Sequence, residues 1–239
     1  LNYSEKIAEE LKEKYRYRIE LHAHTSPASP CSDVKPRDVV KTFFDAGYDG
    51  IAITNHFFPK LFDFKSADEY VEFYKKDFDE ASDEGEKLGM KVYLGAELRF
   101  PKENNNDYLL YGWNFSQLAE IYKYLNGELE TFINDCKTED MFIVQAHPFR
   151  DNMVRVNTNL LDAVEAFNMH PHHNGRIAMA AKFAEEKSKI MTVGTDYHHV
   201  GHHGLCATRT SVLPNDTHEL IDVLKSDDFV IEIGGRIVV

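Results

Sequence analysis

The feature that most constrains this chain is a recurrence of short apolar segments, spaced by helix-period or polar stretches. They fall at Arg18–His22, Gly50–Thr54, Lys91–Glu97, Tyr108–Tyr111, Met141–Gln145, Ala163–Phe167, Met191–Gly194 and Phe229–Ile233. Segments of that length read as buried strands. Residues 3–16 carry Tyr3, Ile7, Leu11 and Tyr15 at four-residue spacing, as an amphipathic helix does. Pro36 opens a second helix that Gly47 closes, and a long third one runs from about Ser66 to Leu88 with Gly89 behind it. Alternation of this kind predicts an α/β fold, with seven or eight strands arranged as a barrel. The open doubly wound sheet is the competing arrangement, but its Gly-rich first turn is replaced here by His22-Ala23-His24.

At 239 residues and 43% hydrophobic content, the chain suits one domain with a sizeable core. Its formal charge of −13 argues against long nucleic acid as a partner, whereas a small anion beside bound cations stays open. Cys31, Cys136 and Cys206 form no paired spacing, so neither a disulfide framework nor a thiolate zinc motif is indicated, and a reducing cytoplasm is expected. No apolar run reaches the ~20 residues that span a bilayer, and the first residues lack the apolar stretch of a signal peptide. An unprocessed chain free of membrane is the expectation.

The residue at or just past five of the apolar segments is of metal-ligand type: His22 with His24, His56, Glu97, His147, and Asp196 with His198. Taken singly, each has a plainer role. An exposed His-x-His pair, a strand-capping His56, a helix-capping Glu97 and a packed His147 ahead of Pro148 are all ordinary. Strand ends of an α/β barrel converge on one face, however, so coincidence at the same structural position in five segments points to a metal centre. His170, His172, His173, His199, His202 and His203 crowd the same part of the sequence. His199, His202 and His203 sit in a Gly-flanked loop, where a solvated role or substrate contact is expected, and His172 and His173 are read the same way.

In order, His22-Ala-His24-Thr25, Thr54-Asn-His56, Ala146-His147-Pro148 and Gly194-Thr-Asp196-Tyr-His198 resemble the four motifs of the polymerase and histidinol phosphatase (PHP) family, and Gly95-Ala-Glu97 matches its glutamate. The resemblance runs from about residue 19 to 200. It implies a distorted (β/α)7 TIM-like barrel of parallel strands and two or three divalent ions, zinc, manganese or iron. By that resemblance His22, His24 and Asp196 hold one ion, Glu97 bridges to a neighbour on His147, and His56 and His198 hold a third. Asp33 stands where the family has one more His or Asp for the third ion. Cys31 is a soft candidate nearby whose plainer reading is a small loop residue. Where the family commonly has a histidine, this chain reads Asn104-Asn-Asn-Asp107, leaving Asp107 as the substitute.

Two cations about 3.5–4 Å apart activate a water and clamp the oxygens of an in-line displacement at phosphorus. Imidazole with carboxylate suits such borderline or hard ions. Arg150, three residues beyond His147, is the expected donor to phosphate oxygens, with Arg99 second; Glu97 and Arg150 form the expected catalytic pair. A metal-dependent phosphoesterase acting on a small phosphorylated substrate such as histidinol phosphate is the leading expectation. An amidohydrolase shares the His-x-His opening but not the late Asp-x-His pair together with His56 and Glu97. An exonuclease or phosphodiesterase is disfavoured by the acidic charge and the lack of a basic stripe with interleaved aromatics. A non-catalytic metal-binding regulatory module would bind ions without turnover.

Overall fold

In the computed structural model, residues 3–238 are described. Helix α1 (Tyr3–Lys14) precedes strand β1 (Tyr17–Ala23), and α2 (Pro36–Asp45) leads into β2 (Gly50–Ile53). Pro36 sits in the first turn of α2, where its missing N–H costs nothing. The two-residue strand β3 (His56–Phe57) is followed by α3 (Ala67–Leu88). Ser66 caps α3 by accepting from the Glu69 amide at 3.2 Å, and Gly89 ends it in the left-handed region at φ 74°. Next come β4 (Lys91–Arg99), β5 (Asp107–Tyr111), α4 (Phe115–Tyr124), α5 (Leu129–Asp135) and β6 (Phe142–Gln145). The chain closes with β7 (Ala163–Asn168), α6 (Ile177–Glu186), β8 (Ile190–Gly194), β9 (Cys206–Thr210), α7 (Thr217–Ser226), β10 (Phe229–Ile233) and β11 (Arg236–Val238).

The strands form one mixed sheet in the order β11-β10-β9-β1-β2-β4-β5-β6-β7-β8, with β3 paired to β4. It curls into a half-barrel until the chain beyond β8 meets β1. There Ala23 and Tyr197 form a bridge, His24 N donates to Tyr197 O at 2.9 Å and Tyr197 N to His22 O at 3.1 Å. The strict (β/α)7 alternation expected from the sequence gives way at two places. β5 runs antiparallel to both β4 and β6, because β4 and β5 are joined by a short turn with no helix to carry the chain back. β9 and β10 add antiparallel pairs beside β1. Three strands lie outside the sequence reading: β9 reads Cys-Ala-Thr-Arg-Thr, with no apolar run, and β3 and β11 are only two and three residues long. No helix among the described residues is long and apolar enough to cross a membrane.

The concave face holds a cluster built by Ile19, Leu21, Tyr93, Leu109, Tyr111, Phe142, Val144 and Ala163, sealed by Leu220, Ile221 and Leu224 of α7. The convex face packs on the helices. Leu98, Tyr108 and Leu110 meet Tyr70, Tyr74 and Leu118, while Ile51 and Ile53 meet Val39, Val40 and Phe43. Two-residue periodicity therefore sorts each strand into an inner and an outer row.

Candidate metal centre

Simple alternation carries three inner rows from apolar core into polar site. On β4 the row through Tyr93 arrives at Glu97, and on β5 the row through Leu109 arrives at Asp107. The same row of β7 goes from Ala163 to Glu165. On β1 and β6 the ligand-type residue is one step out of phase, since Leu21 precedes His22 and Ala146 precedes His147 in the inner cluster. Each phase break falls on a backbone irregularity. The β1–β2 register shifts between Glu20 and Ala23, as a bulge that re-aims side chains does. His147 takes φ 30°, and Asp196 beyond β8 takes φ 53°. Left-handed backbone at a residue with a side chain costs on the order of 1–3 kcal/mol and persists only where surroundings impose it. For His147 that surrounding is Glu165, whose Oε2 accepts from the His147 amide at 3.0 Å.

The side chains so delivered meet. His22 Nε2 and His24 Nε2 stand 3.1 Å apart. Asp196 Oδ1 is 3.4 Å from each of them, Glu97 Oε1 is 3.4 Å from His22, and Glu97 Oε2 is 3.3 Å from His24. Glu97 also reaches His147 Nε2 through Oε1 at 3.3 Å and His56 Nδ1 through Oε2 at 2.9 Å. His22, His24, Glu97, His147 and Asp196 are all buried. The far ring nitrogens are engaged, His22 Nδ1 with Glu165 Oε1 at 2.8 Å and His24 Nδ1 with Ser29 Oγ at 3.0 Å. Facing a carboxylate, His22 Nδ1 carries the ring proton, which leaves the Nε2 lone pair pointing into the cluster.

That arrangement fits divalent cations. Ligand bonds of about 2.0–2.1 Å at a tetrahedral ion give ligand-to-ligand edges of about 3.3–3.4 Å, close to the separations of the His22, His24, Asp196 and Glu97 atoms. Glu97 Oε1, His56 Nδ1 and His147 Nδ1 are buried with no hydrogen bond of good geometry among the described residues. Orphaned buried polar atoms of this kind cost free energy that a bound ion removes where it takes their lone pairs. Among the described residues, three ligand groups each have atoms within 4.8 Å of one another: His22, His24 and Asp196; His56, Glu97 and Asp107; and His24, Cys31, His56 and His198.

Electrostatics agree. Burial by itself opposes charge on Glu97 and Asp196, yet the imidazoles around them hold both carboxyls well below their ordinary range. His22 is likewise penalised by burial, and Glu165, Asp196 and Glu97 outweigh this and push it well above the usual imidazole value. His198 goes the other way, to about 2, because burial and His24 both disfavour its cation. Its Nδ1 donates to Asp196 O at 2.7 Å.

Of the nine ligand-type residues singled out in the sequence, eight converge and Asp33 does not. Its side chain is 71% exposed and pairs with His199 Nδ1 at 3.0 Å. The loop instead brings Cys31 toward His56 and His198, and burial together with Glu97 and Asp196 pushes that thiol up to about 12. Asp107 is present but shared, since Arg99 grips it through Nε at 2.6 Å and Nη2 at 2.9 Å. Arg150 stands at the site, with Nη1 3.5 Å from Asp196 Oδ2 and Nη2 2.6 Å from His173 Nε2.

Three partners in the layer behind escaped sequence reading. Glu165 orients His22 and the His147 backbone and accepts from Asn168 Nδ2 at 3.0 Å. Glu20 accepts from the His22 amide at 2.8 Å and from the backbone and hydroxyl of Thr195, and burial lifts it to about 7. Ser29 accepts from the His56 amide at 2.8 Å and faces His24. The available signal was an acidic residue inside an apolar strand, at Glu20 and Glu165. The cavity above the cluster has a volume of about 360 Å³, and His170, His172, His173 and His199 line its rim with Arg99 and Arg150. His202, expected in a solvated loop, is instead buried beneath that rim against His170 and His172.

Residues 20–235 match the PHP domain family. No curated protein matches the chain. Among solved structures, it is similar to a two-domain protein from Bacteroides vulgatus containing a predicted PHP-like metal-dependent phosphoesterase, with 15% identity and a TM-score of 0.67. That similarity covers 91% of this chain and 64% of the other, so the chain spans less than two thirds of that relative's length. PsfC from Pseudomonas syringae is similar at 15% identity and a TM-score of 0.53, over 80% of each chain. An amidohydrolase from Chromobacterium violaceum, solved with bound sulfate and no metal, is similar at 12% identity and a TM-score of 0.51, over 90% of this chain and 97% of that one. At such identities the likeness is one of fold.

Proposed function

Because the chain belongs to the PHP domain family, we propose that it is a metal-dependent phosphoesterase that hydrolyses a small phosphomonoester, histidinol phosphate being the first compound to test. The observation that carries this reading is Glu97, whose two oxygens face four histidines of the cluster at 2.9–3.4 Å with no lysine or arginine among them. His22, His24 and Asp196 would hold one divalent ion, and Glu97 would extend to a second held with His147 and Asp107. When bound, zinc, manganese or iron lowers the pKa of water and neutralises charge developing at phosphorus.

The remaining work belongs to side chains. Arg150 projects into the cavity beside Asp196 and binds the phosphate oxygens that face away from the ions, with Arg99 on the same wall. Glu165 and Ser29 fix the rings of His22 and His24 so that their Nε2 lone pairs stay aimed inward. A cavity of about 360 Å³ suits a small ester better than a polymer, and the charge of −13 opposes binding along a nucleic-acid strand. We place the protein in a reducing cytoplasm, since all three cysteines are free.

Elemental analysis of the purified protein, joined to a panel of phosphomonoesters, phosphodiesters and amides, tests the proposal. Two or three equivalents of metal and turnover of monoesters are expected. Turnover of diesters alone would favour the phosphodiesterase reading, amide hydrolysis the amidohydrolase one, and metal without turnover a regulatory module.

A further inference from the structure

We propose that Cys31, rather than Asp33, completes the ligand set around His56 and His198, so that the mouth of the site holds a nitrogen-and-sulfur centre for a borderline divalent cation. The inference rests on the metal-centre reading above but not on phosphoester chemistry. Its ground is the loop after β1. Asp33 turns outward to His199 at 3.0 Å, and with 71% exposure it is held by solvent as much as by protein. Cys31 is exposed as well, but its sulfur lies with the nitrogens of His24, His56 and His198 inside a 4.8 Å cluster, and it lines the cavity.

The chemistry of each partner narrows the set. His24 is committed by Nε2 to His22, Asp196 and Glu97, and by Nδ1 to Ser29. A neutral imidazole offers a single lone pair, so His24 serves the first ion, and Cys31, His56 and His198 remain for the outer one. His198 is already oriented for this, because Nδ1 donates to the Asp196 carbonyl and leaves Nε2 as the donor atom. Three protein ligands and an open fourth position facing the cavity make a site of the exchangeable kind. A thiolate among imidazoles favours Zn²⁺ or Co²⁺ over Mn²⁺, so this position should discriminate metals that the carboxylate-rich inner sites do not. On coordination the Cys31 S–H proton leaves to solvent and the sulfur lone pair forms the bond, with no change of oxidation state.

Cobalt titration of the metal-stripped full chain reads the ligand set directly. Wild type should develop a thiolate-to-cobalt charge-transfer absorption in the near ultraviolet, and Cys31→Ser should lose that band and at least tenfold in affinity for one equivalent. Asp33→Asn should retain both. In parallel, loading with Co²⁺ should protect one thiol from a disulfide reagent in wild type, a readout that needs no variant to fold. Cobalt bound at full stoichiometry without the band, or an equivalent lost in Asp33→Asn and kept in Cys31→Ser, overturns the assignment of Cys31 while leaving the metal centre standing. Failure to bind cobalt at all overturns both.

Discussion

Glu165→Gln isolates the layer behind the ligands, because the substitution keeps size and shape and removes only charge and one acceptor. Glu165 Oε1 receives the His22 Nδ1 proton at 2.8 Å, while Oε2 receives the His147 amide at 3.0 Å and Asn168 Nδ2 at 3.0 Å. Glutamine has one oxygen for these three donors. With its oxygen toward His22, its NH2 faces the His147 and Asn168 donors. Flipped, the NH2 confronts His22 and drives the ring proton onto Nε2, the ligand atom. Either orientation forfeits a hydrogen bond to a charged group, worth about 1.5–3 kcal/mol. At about 1.4 kcal/mol per decade this predicts metal affinity weakened by about 10–100-fold, the range expected for partners of metal-bound histidine. Chelator-competition titration of Zn²⁺ measures the change, and thermal unfolding of the stripped proteins checks that the fold survives. Affinity within twofold of wild type would refute the claim that Glu165 sets the His22 tautomer.

Other perturbations separate binding, packing and metal. Arg150→Ala should raise KM for phosphomonoesters about tenfold or more with metal content unchanged, and unaltered steady-state kinetics would remove Arg150 from the site. Gly194→Ala should cripple metal binding, since a Cβ there lies 2.5 Å from both Glu165 Oε1 and the His22 Cβ; elemental analysis showing full occupancy would contradict that crowding. Stripping the ions should lower the melting temperature. Free metal at a hundred times its dissociation constant stabilises by about 2.7 kcal/mol per site, or roughly 5–11 °C for a chain of this size, and an unchanged melting curve with chelator would argue against bound ions.

Much of this was legible in the sequence for a definite reason. Strand ends at His22, Glu97 and Asp196 announce themselves because an apolar row must stop where charge begins. What stayed hidden obeys no period. Nothing in Pro30-Cys-Ser-Asp33 tells which side chain reaches the cluster: Cys31 and Asp33 are both exposed, yet Cys31 lines the cavity while Asp33, the better ligand by type, pairs with His199 instead. The reversed direction of β5 depends on a short β4–β5 turn, and β9 depends on Thr208 and Thr210 being buried between β1 and β10. Glu20 and Glu165 stay hidden because nothing in the strand pattern separates a carboxylate that faces the site from one that faces outward. Tertiary partners, not local pattern, turned them inward.

The same hidden carboxylates explain why the site fits cations. Glu97, Asp107, Glu165 and Asp196 are all buried around one point, and the guanidiniums that reach them are Arg99 on Asp107 and Arg150 on Asp196. Glu20 behind them is lifted to about 7 and so carries only part of a charge near neutrality. Two carboxylates thus lack a permanent counter-charge, and in the stripped protein histidines must take up protons to supply it, as the upward shift of His22 reflects. Two divalent ions would reverse the balance and leave a surplus of about two positive charges facing the cavity, or about one once a hydroxide is bound. An anionic phosphoester meets that surplus, whereas a neutral amide leaves it unmatched. The buried charge pattern therefore supports the proposed phosphoester chemistry over amide hydrolysis on grounds independent of the motifs.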